Sequence, residues 1–290
     1  MLKIPKIDFL VKKNKSIPIL LYHGITESQI SPNPYYISVK AFQDQMDLLA
    51  FKGYKTISVS ALLKAWELGE SLVKKIVVTF DDGYSSIYKL AAPILHKHFY
   101  TATLFLTSNP ISQINFSNTH QLFRSALVDD RPLKWSECKE LLLLGWELGG
   151  HSCSHPDLRK LSPTNLDYEL RQNRVEIEKN LDYTPLHFAY PNGGYNQNTI
   201  NQIRALGYHS GLSVHSGKAK NEKEKWNMHR ICIQNKTKLK NFERLIETGY
   251  GSKSEKFRSL VRDFFYQNLS LKDGIEKIIS FFIKETAEEI

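Results

Sequence analysis

The hydrophobic positions along the chain follow two alternating patterns. Short runs of β-branched and other apolar residues, typical of buried strands, occur at residues 17–22, 75–80, 101–106, 146–150, 187–190, 208–214 and 230–233. Stretches with apolar residues at helical spacing lie between most of these runs. Alternating strands and helices predict a parallel sheet that is closed or nearly closed.

Local signals place the helices between the strands. Ser38 precedes the apolar positions Phe42, Met46 and Leu49, and Ser162-Pro163 precedes a longer stripe that ends at Leu181; both are helix starts. Further helices are expected at residues 61–68, 84–98, 136–144 and 196–206, and a short extended piece at 56–59. Residues 107–131 are polar with weak periodicity, which predicts a long loop.

Residues suited to chemistry follow four of the predicted strands at their carboxyl ends. They are His23, the pair Asp81-Asp82, His151 and the run Tyr190-Pro191-Asn192-Gly193. In barrels this is the face where active sites lie. Two adjacent carboxylates after a buried strand also need compensation. An isolated Asp82 would be explained as a helix cap, but the four strand ends together predict an active site.

His151 and His155 are four residues apart. Two imidazoles and one carboxylate can hold zinc or a first-row neighbour and leave positions open for water and substrate, as a catalytic site requires. Cys153 lies between the histidines and is interpreted as a small buried residue rather than a ligand.

Composition and charge limit the partners and the cellular location that we predict. The chain has 290 residues and a formal net charge of +9, with lysines crowded at residues 3–15 and 218–240. Solvated surface is the ordinary explanation; the alternative is an anionic partner, either a membrane surface or an acidic saccharide. No nucleic-acid-binding motif accompanies the charge.

The sequence also indicates where the protein is located. No run approaches the ~20 apolar residues of a membrane span, and no signal-peptide pattern is recognised. We therefore predict a cytoplasmic protein, at most peripheral to the inner membrane. The odd cysteine number predicts reduced thiols.

Three motifs resemble those of a known family. Thr79-Phe80-Asp81-Asp82-Gly83, His151-Ser152-x-x-His155 and Phe188-Ala189-Tyr190-Pro191-Asn192-Gly193 are similar to the first three signature motifs of the polysaccharide deacetylases with the NodB homology domain, carbohydrate esterase family 4. The Tyr22-His23-Gly24 start and the Phe-Ala-Tyr-Pro form most resemble the branch of the poly-N-acetylglucosamine deacetylases. The resemblance covers roughly residues 17–233.

The resemblance implies a distorted (β/α)7 barrel, which we place at residues 1–250. Residues 251–290 lie beyond it and are predicted to form a helical extension. Apolar residues at helical spacing occur at 257–265 and 275–282, with Ser270 and Asp273 as a capping box before the second helix. Packing against the barrel or a partner subunit is the expected use of these helices, and membrane-surface binding is the alternative.

The resemblance also implies the metal-dependent hydrolysis of N-acetyl groups on amino sugars. By position, Asp81 is expected to be the general base and His23 the acid. The implied metal ligands are Asp82, His151 and His155, with Zn²⁺ expected and Co²⁺ or Ni²⁺ as alternatives. The implied substrate and oxyanion segment comprises Tyr190, Pro191, Asn192 and Gly193. Tyr190 and Trp146 are expected to be core or sugar-stacking residues.

Two departures from the family pattern affect these roles. Ala189 stands where many members have an arginine that orients the base, and Arg230 is the candidate replacement, the alternative being a plain surface charge. The leucine-histidine motif that supplies the acid in many members is absent, which is why His23 is preferred over His229.

The sequence therefore predicts a metal-dependent N-deacetylase that acts on a polysaccharide, an oligosaccharide or a lipid-linked glycan precursor. Two alternatives stay open. One is a metal-dependent amidase with a non-sugar substrate, and the other is a catalytically silent saccharide-binding relative. Loss of Asp81 or of a metal ligand would have indicated the silent relative, but all are present.

Overall fold

The structure is a computed structural model that describes residues 16–113, 115, 126–127 and 130–267. Its strands are β1 (Ile19–Tyr22), β2 (Gly24–Thr26), β3 (Tyr36–Ser38), β4 (Lys55–Thr56), β5 (Lys75–Phe80), β6 (Thr103–Leu106), β7 (Glu147–Gly150), β8 (His187–Ala189), β9 (Ser210–Leu212) and β10 (Ile231–Cys232). Its α-helices are α1 (Val39–Phe51), α2 (Val59–Glu67), α3 (Ala92–Lys97), α4 (Trp135–Leu143), α5 (Pro163–Leu181), α6 (Gln197–Ala205), α7 (Leu239–Thr248) and α8 (Lys253–Gln267).

Seven parallel strands form the wall of a distorted barrel, in the order β10, β1, β5, β6, β7, β8, β9. The segment before β10 spans the remaining gap to β9: the Met228 N–H donates to the Gly211 carbonyl at 3.0 Å, and the Ser213 N–H donates to the Met228 carbonyl at 2.9 Å. The short strand β4 pairs with β5, and β2 pairs with β3. The predicted barrel, with its seven core strands, is thus confirmed.

Side chains along each strand alternate between the barrel interior and the surrounding helices. In β5, Ile76, Val78 and Phe80 pack in a core cluster with residues of α1, α4, α5 and α7, whereas Val77 packs in an interior cluster whose helical residues come from α2. The other strand residues of the interior cluster are Ile19, Phe105, Ala189 and Leu212. The same alternation turns Asp81 inward at the carboxyl end of β5, which places its carboxylate at the mouth of the barrel.

A buried polar cluster closes the amino end of the barrel beneath these apolar residues. Glu147 Oε2 accepts hydrogen bonds from the Val59 and Ser60 N–H groups, at 3.0 and 3.3 Å, in the first turn of α2. The His187 ring nitrogens lie 2.8 Å from Ser60 Oγ and 2.8 Å from Ser210 Oγ. Burial raises the pKa of Glu147, but His187 and Ser60 outweigh that effect, and the pKa is lowered overall.

The Glu147 carboxylate should therefore stabilise the fold in a pH-dependent way. We expect Glu147→Gln to lower the free energy of unfolding by about 1–3 kcal/mol at neutral pH, because a buried charge-assisted network is broken. A lowered folded-state pKa means that the contribution is present above the unfolded pKa of about 4.3 and is lost as the pH falls through the folded-state value. Urea unfolding at neutral and acidic pH measures this.

The control for this prediction is the exposed Glu70, where the same change should have no effect. A difference between wild type and Glu147→Gln that grows on acidification contradicts the prediction.

Most predicted helices are confirmed. Ser38 Oγ accepts the Ala41 N–H at 3.2 Å and begins α1, and Ser162 Oγ accepts the Asn165 N–H at 3.3 Å and begins α5. The helix predicted at residues 84–98 is present at 85–97, and the structure adds a π-helical turn at Ile87–Ala91 immediately before α3. The Ser85 N–H, which has no partner within the helix because it lies in the first turn, donates to the Arg131 carbonyl.

Several predictions lie partly or wholly outside the described residues. These are the amino-terminal lysines, much of the loop at 107–131 and the second helix of the extension. The first helix of the extension is present as α8, and the domain boundary at residue 250 stays a prediction. Within the described part of the chain, every helix is too short or too polar to cross a membrane.

Candidate active site

The carboxyl ends of the strands bring three candidate metal ligands together. The ligand atoms of Asp82, His151 and His155 all lie within 4.8 Å of one another, and all three residues are buried. His151 Nε2 and His155 Nε2 lie 3.5 and 3.6 Å from the same oxygen, Asp82 Oδ1. The convergence expected from the strand ends is therefore observed.

The surroundings of these three side chains fit a divalent cation. Both carboxylate oxygens of Asp82 are buried, and neither has a hydrogen-bond partner among the described residues. His151 Nδ1 lies 2.7 Å from the Ala189 carbonyl. This nitrogen must carry the proton, which leaves the Nε2 lone pair directed toward the site. A buried carboxylate without a partner beside two imidazoles is the donor set of a catalytic metal site.

The neighbouring carboxylate, Asp81, has a quite different environment. Arg230 donates two parallel hydrogen bonds to it, from Nη1 to Oδ1 and from Nη2 to Oδ2, both at 2.7 Å. Arg230 is fully buried, and its Nε donates to the Ser213 carbonyl at 2.8 Å. The alternative that Arg230 is a surface charge is thus wrong in this structure.

Electrostatics keep both aspartates ionised. Burial raises the pKa of Asp81, but Arg230 and then His151 outweigh it, so the pKa lies below its ordinary value. Burial likewise raises the pKa of Asp82, but the neighbouring His151 and the charge of His155 outweigh it, so this pKa also lies below its ordinary value. The two carboxylates raise the pKa of His151 against the effect of burial.

His23 follows β1 and lies near this group. Burial lowers its pKa, while Asp82 and then Asp81 oppose that shift. Its Nδ1 is buried and has no hydrogen-bond partner among the described residues. The Tyr35 ring lies over it at 4.8 Å between centroids. Tyr35 was not predicted as a site residue, because the loop that carries it has no motif.

The chain was compared with known proteins. The family model described as polysaccharide deacetylase matches residues 69–211. Poly-beta-1,6-N-acetyl-D-glucosamine N-deacetylases of Staphylococcus epidermidis and Staphylococcus aureus are 24% and 26% identical over 230 and 235 residues; the matches cover 77% and 76% of this chain, and 75% and 74% of those proteins. The structure of the Streptococcus pyogenes deacetylase PplD in complex with acetate matches with a TM-score of 0.68 and 26% identity, over 80% of this chain and 98% of that one.

The chain resembles the polysaccharide deacetylase family, whose model matches slightly less than half of it. It is accordingly a hydrolase that acts on carbon–nitrogen bonds other than peptide bonds. The fold agrees with this similarity, because the Streptococcus pyogenes deacetylase is also a distorted barrel of strands and helices.

Helix α5 of this deacetylase holds the loop that carries both histidines. Glu169 accepts the N–H groups of Cys153 and Ser154, each at 2.9 Å. Asn173, one turn further along, donates to the Leu106 and Ser152 carbonyls at 2.9 and 2.7 Å. The sequence analysis did not identify Glu169 or Asn173. Both are polar residues beside the apolar stripe of α5, and this position could have indicated that they face the barrel.

The backbone is strained where the functional residues lie. Asp82, Ser152, His155 and Asn192 have positive φ angles of 78°, 64°, 63° and 55°. Such conformations cost free energy for residues other than glycine and persist only where the surroundings impose them. In this deacetylase, the hydrogen bonds to α5 and between strands supply that constraint at the histidine loop.

The third motif contributes its backbone rather than an aromatic side chain. The Tyr190 side chain is fully buried, and its hydroxyl donates to the Trp226 carbonyl at 2.7 Å, so it cannot stack on a sugar. Trp146 is also buried and stacks on Phe80. Pro191 and Gly193 are buried while Asn192 is exposed, which places the Asn192 backbone at the surface of the turn.

The Arg230–Asp81 pair should be strongly coupled. We expect Arg230→Met to lower the free energy of unfolding by about 3–5 kcal/mol, because it leaves a buried carboxylate without its partner. Adding Asp81→Asn should recover part of this loss, since no unpaired charge then remains. Urea unfolding of the wild type, both single variants and the double variant, with chelator present, measures the coupling.

The control is the exposed pair Asp167–Arg171 on α5, where the corresponding cycle should give about 0–1 kcal/mol. Additive losses at Asp81 and Arg230 contradict the prediction.

Proposed function

We propose that this deacetylase hydrolyses the acetamide of an N-acetylated amino sugar in a glycan and releases acetate, with a divalent metal ion held by Asp82, His151 and His155. Zn²⁺ is the first choice for a site of two imidazoles and one carboxylate, followed by Co²⁺ or Ni²⁺. The observation that carries the proposal is that the adjacent residues Asp81 and Asp82 have different contacts. Asp82 Oδ1 lies 3.5 and 3.6 Å from the two histidine Nε2 atoms and has no hydrogen-bond partner among the described residues. Asp81 has both oxygens bound by Arg230, and its Oδ2 lies 3.8 Å from His151 Nε2.

The different contacts of Asp81 and Asp82 support distinct roles for the two carboxylates. When bound, a divalent cation polarises the amide carbonyl and lowers the pKa of a water molecule. Asp81 is ionised and oriented by Arg230, and we assign it the general-base role, in which it takes a proton from the attacking water. A metal-bound carboxylate could not do this as well, because its lone pairs would be engaged.

The turn of the third motif is the proposed oxyanion donor. The Gly193 and Gly194 N–H groups are already engaged with the Tyr190 and Pro191 carbonyls, at 2.8 and 3.0 Å. The N–H at Asn192 is therefore the one we assign to the developing oxyanion. Backbone donors fixed in this way stabilise charge in the transition state without reorganisation.

His23 is the proposed acid for the departing amine. An amine is a poor leaving group until it is protonated, so the reaction needs a donor on the leaving-group side. The lowered pKa of His23 makes its imidazolium a stronger acid and reduces the fraction that is protonated at neutral pH. The Tyr35 ring packs against the His23 ring at a tilt of 48°.

The relatives narrow the choice of substrate. The two staphylococcal proteins are named for poly-beta-1,6-N-acetyl-D-glucosamine, so this polymer is the first substrate to test. N-acetylated oligosaccharides and lipid-linked sugars complete the set, because the sequence also predicts an oligosaccharide or a lipid-linked glycan precursor as the substrate.

Acetate release from this panel tests the proposal. Metal-stripped protein should be inactive, and added Zn²⁺, Co²⁺ or Ni²⁺ should restore release. Asp81→Asn should lower kcat by about 10²–10⁴-fold while one metal ion per chain is still bound, whereas Asp82→Asn should lose the metal.

The control for charge removal is Asp167→Asn, which removes an exposed aspartate that is also paired with an arginine and should keep full activity. Release from non-sugar amides alone would identify a different amidase. No release from any substrate by metal-loaded wild type, or full activity of Asp81→Asn, would refute the proposal.

A further inference from the structure

The end of the barrel opposite the active site exposes large apolar side chains. We define the amino-end face as the turns at residues 51–56, 73–74, 97–101 and 143–145. Phe51, Phe99 and Leu143 in these turns are 89%, 95% and 81% exposed, and Val73 is 54% exposed. Single exposed hydrophobic residues are ordinary, but several on one small face need an explanation.

Hydrogen bonds show that these turns are neighbours. The Lys55 N–H donates to the Lys74 carbonyl at 2.9 Å. The Thr101 N–H donates to Thr56 Oγ1 at 2.8 Å, and Thr101 Oγ1 donates to the Gly145 carbonyl at 2.6 Å. The exposed side chains of the four turns therefore belong to one continuous surface.

Phe99 occupies a position that folding alone would give to glycine. Helices α1 and α4 end in turns with a left-handed glycine, Gly53 (φ 74°) and Gly145 (φ 80°). Helix α3 ends in the same hydrogen-bonded turn, in which the Tyr100 N–H donates to the Leu95 carbonyl, but the left-handed residue is Phe99 at φ 56°. A bulky residue there costs backbone free energy and buries nothing, so its benefit must lie outside the folded chain.

The exposed charged side chains of these turns are all positive. Lys55, Lys74 and Lys97 are exposed, while Lys52 is paired with Glu243 and Glu247 of α7. Apolar side chains that project singly, with lysines around them, match the boundary between lipid headgroups and acyl chains. Lysines of this kind are attracted to anionic headgroups and extend their ammonium groups toward them.

We propose that the amino-end face docks this protein on the surface of a bilayer that contains anionic lipids. Phe51, Phe99 and Leu143 enter the headgroup region, and Lys55, Lys74 and Lys97 contact the lipid phosphates. A protein partner fits the observations less well, because the apolar side chains project from separate turns. The acidic side chains beside this face, Glu243, Glu247 and Asp47, lie against Lys52 and His98.

Docking in this orientation has a consequence for the active site. Asp81, Asp82 and His151 lie at the carboxyl ends of the strands, at the opposite end of the barrel. The catalytic mouth then opens away from the bilayer, so that glycan chains in the aqueous phase reach it freely. The inference does not depend on the proposed function, because it concerns a different surface.

Flotation of the full-length protein with phosphatidylcholine vesicles, with and without phosphatidylglycerol, tests the proposal. The wild type should float with the anionic vesicles and much less with the neutral ones. Phe99→Gly should reduce the apparent affinity about tenfold or more, since a buried aromatic contact with the lipid is lost. The glycine suits the left-handed turn, so the thermal midpoint should stay the same or rise, which excludes misfolding as the cause.

The charge contribution is tested by Lys74→Glu combined with Lys97→Glu. This variant should lower the affinity for anionic vesicles at least about fivefold for each lysine. Tyr168→Ser and Lys160→Glu are the matched controls, because both residues are exposed on other surfaces; neither change should affect flotation.

Three results would overturn the proposal. They are the absence of flotation of the wild type, flotation that Phe99→Gly and the lysine variant leave unchanged, and a Phe99→Gly effect on oligomeric state in sedimentation velocity without an effect on flotation. The last result would make the face a protein interface. Acetate release is not measured in this experiment, so its outcome is independent of whether the proposed function holds.

Discussion

The buried ion pair between Arg230 and Asp81 is the interaction on which the rest of the active site depends. Two adjacent carboxylates at a strand end would repel each other and attract protons if nothing distinguished them. Arg230 neutralises one with two short hydrogen bonds and leaves the other facing His151 and His155. The pair therefore separates a carboxylate suited to proton transfer from one suited to metal binding.

The ion pair also ties the site to the closure of the barrel. Arg230 lies immediately before β10, where the chain spans the gap between β9 and β1. Its Nε donates to the Ser213 carbonyl beyond β9, and its Nη1 lies 3.3 Å from Thr79 Oγ1 on β5. A fully buried guanidinium is tolerated because each of these contacts satisfies part of it. The segment that closes the barrel between β9 and β1 therefore also holds Asp81, the proposed base, in place.

The two ends of the barrel are built for different tasks. At the carboxyl end, left-handed backbone at Asp82 and His155 is imposed by the surrounding hydrogen bonds. At the amino end, Glu147 and His187 seal the interior under α2, and the turns outside that seal carry Phe99 in a conformation that favours glycine.

Sequence reasoning reached the nearly closed parallel sheet and the convergence of the strand ends because both follow from periodicity and from the direction of parallel strands. The distorted (β/α)7 barrel came from the resemblance of the motifs to a known family. Sequence reasoning could not decide between two environments for Arg230, because the partner Asp81 lies 149 positions away and no local pattern encodes that contact. Tyr35 and Glu169 were missed for a similar reason: each acts through a tertiary contact. The Tyr190 side chain was open between core and sugar contact until the bond to Trp226 placed it in the core.

The most direct test of the central claim is an anomalous difference map at the zinc absorption edge from crystals of the zinc-loaded protein. We expect one strong peak, bound by Asp82 and by Nε2 of His151 and His155, with Asp81 still paired to Arg230. A peak bound by Asp81 in place of Asp82, or zinc found only outside the carboxyl end of the barrel, would contradict it.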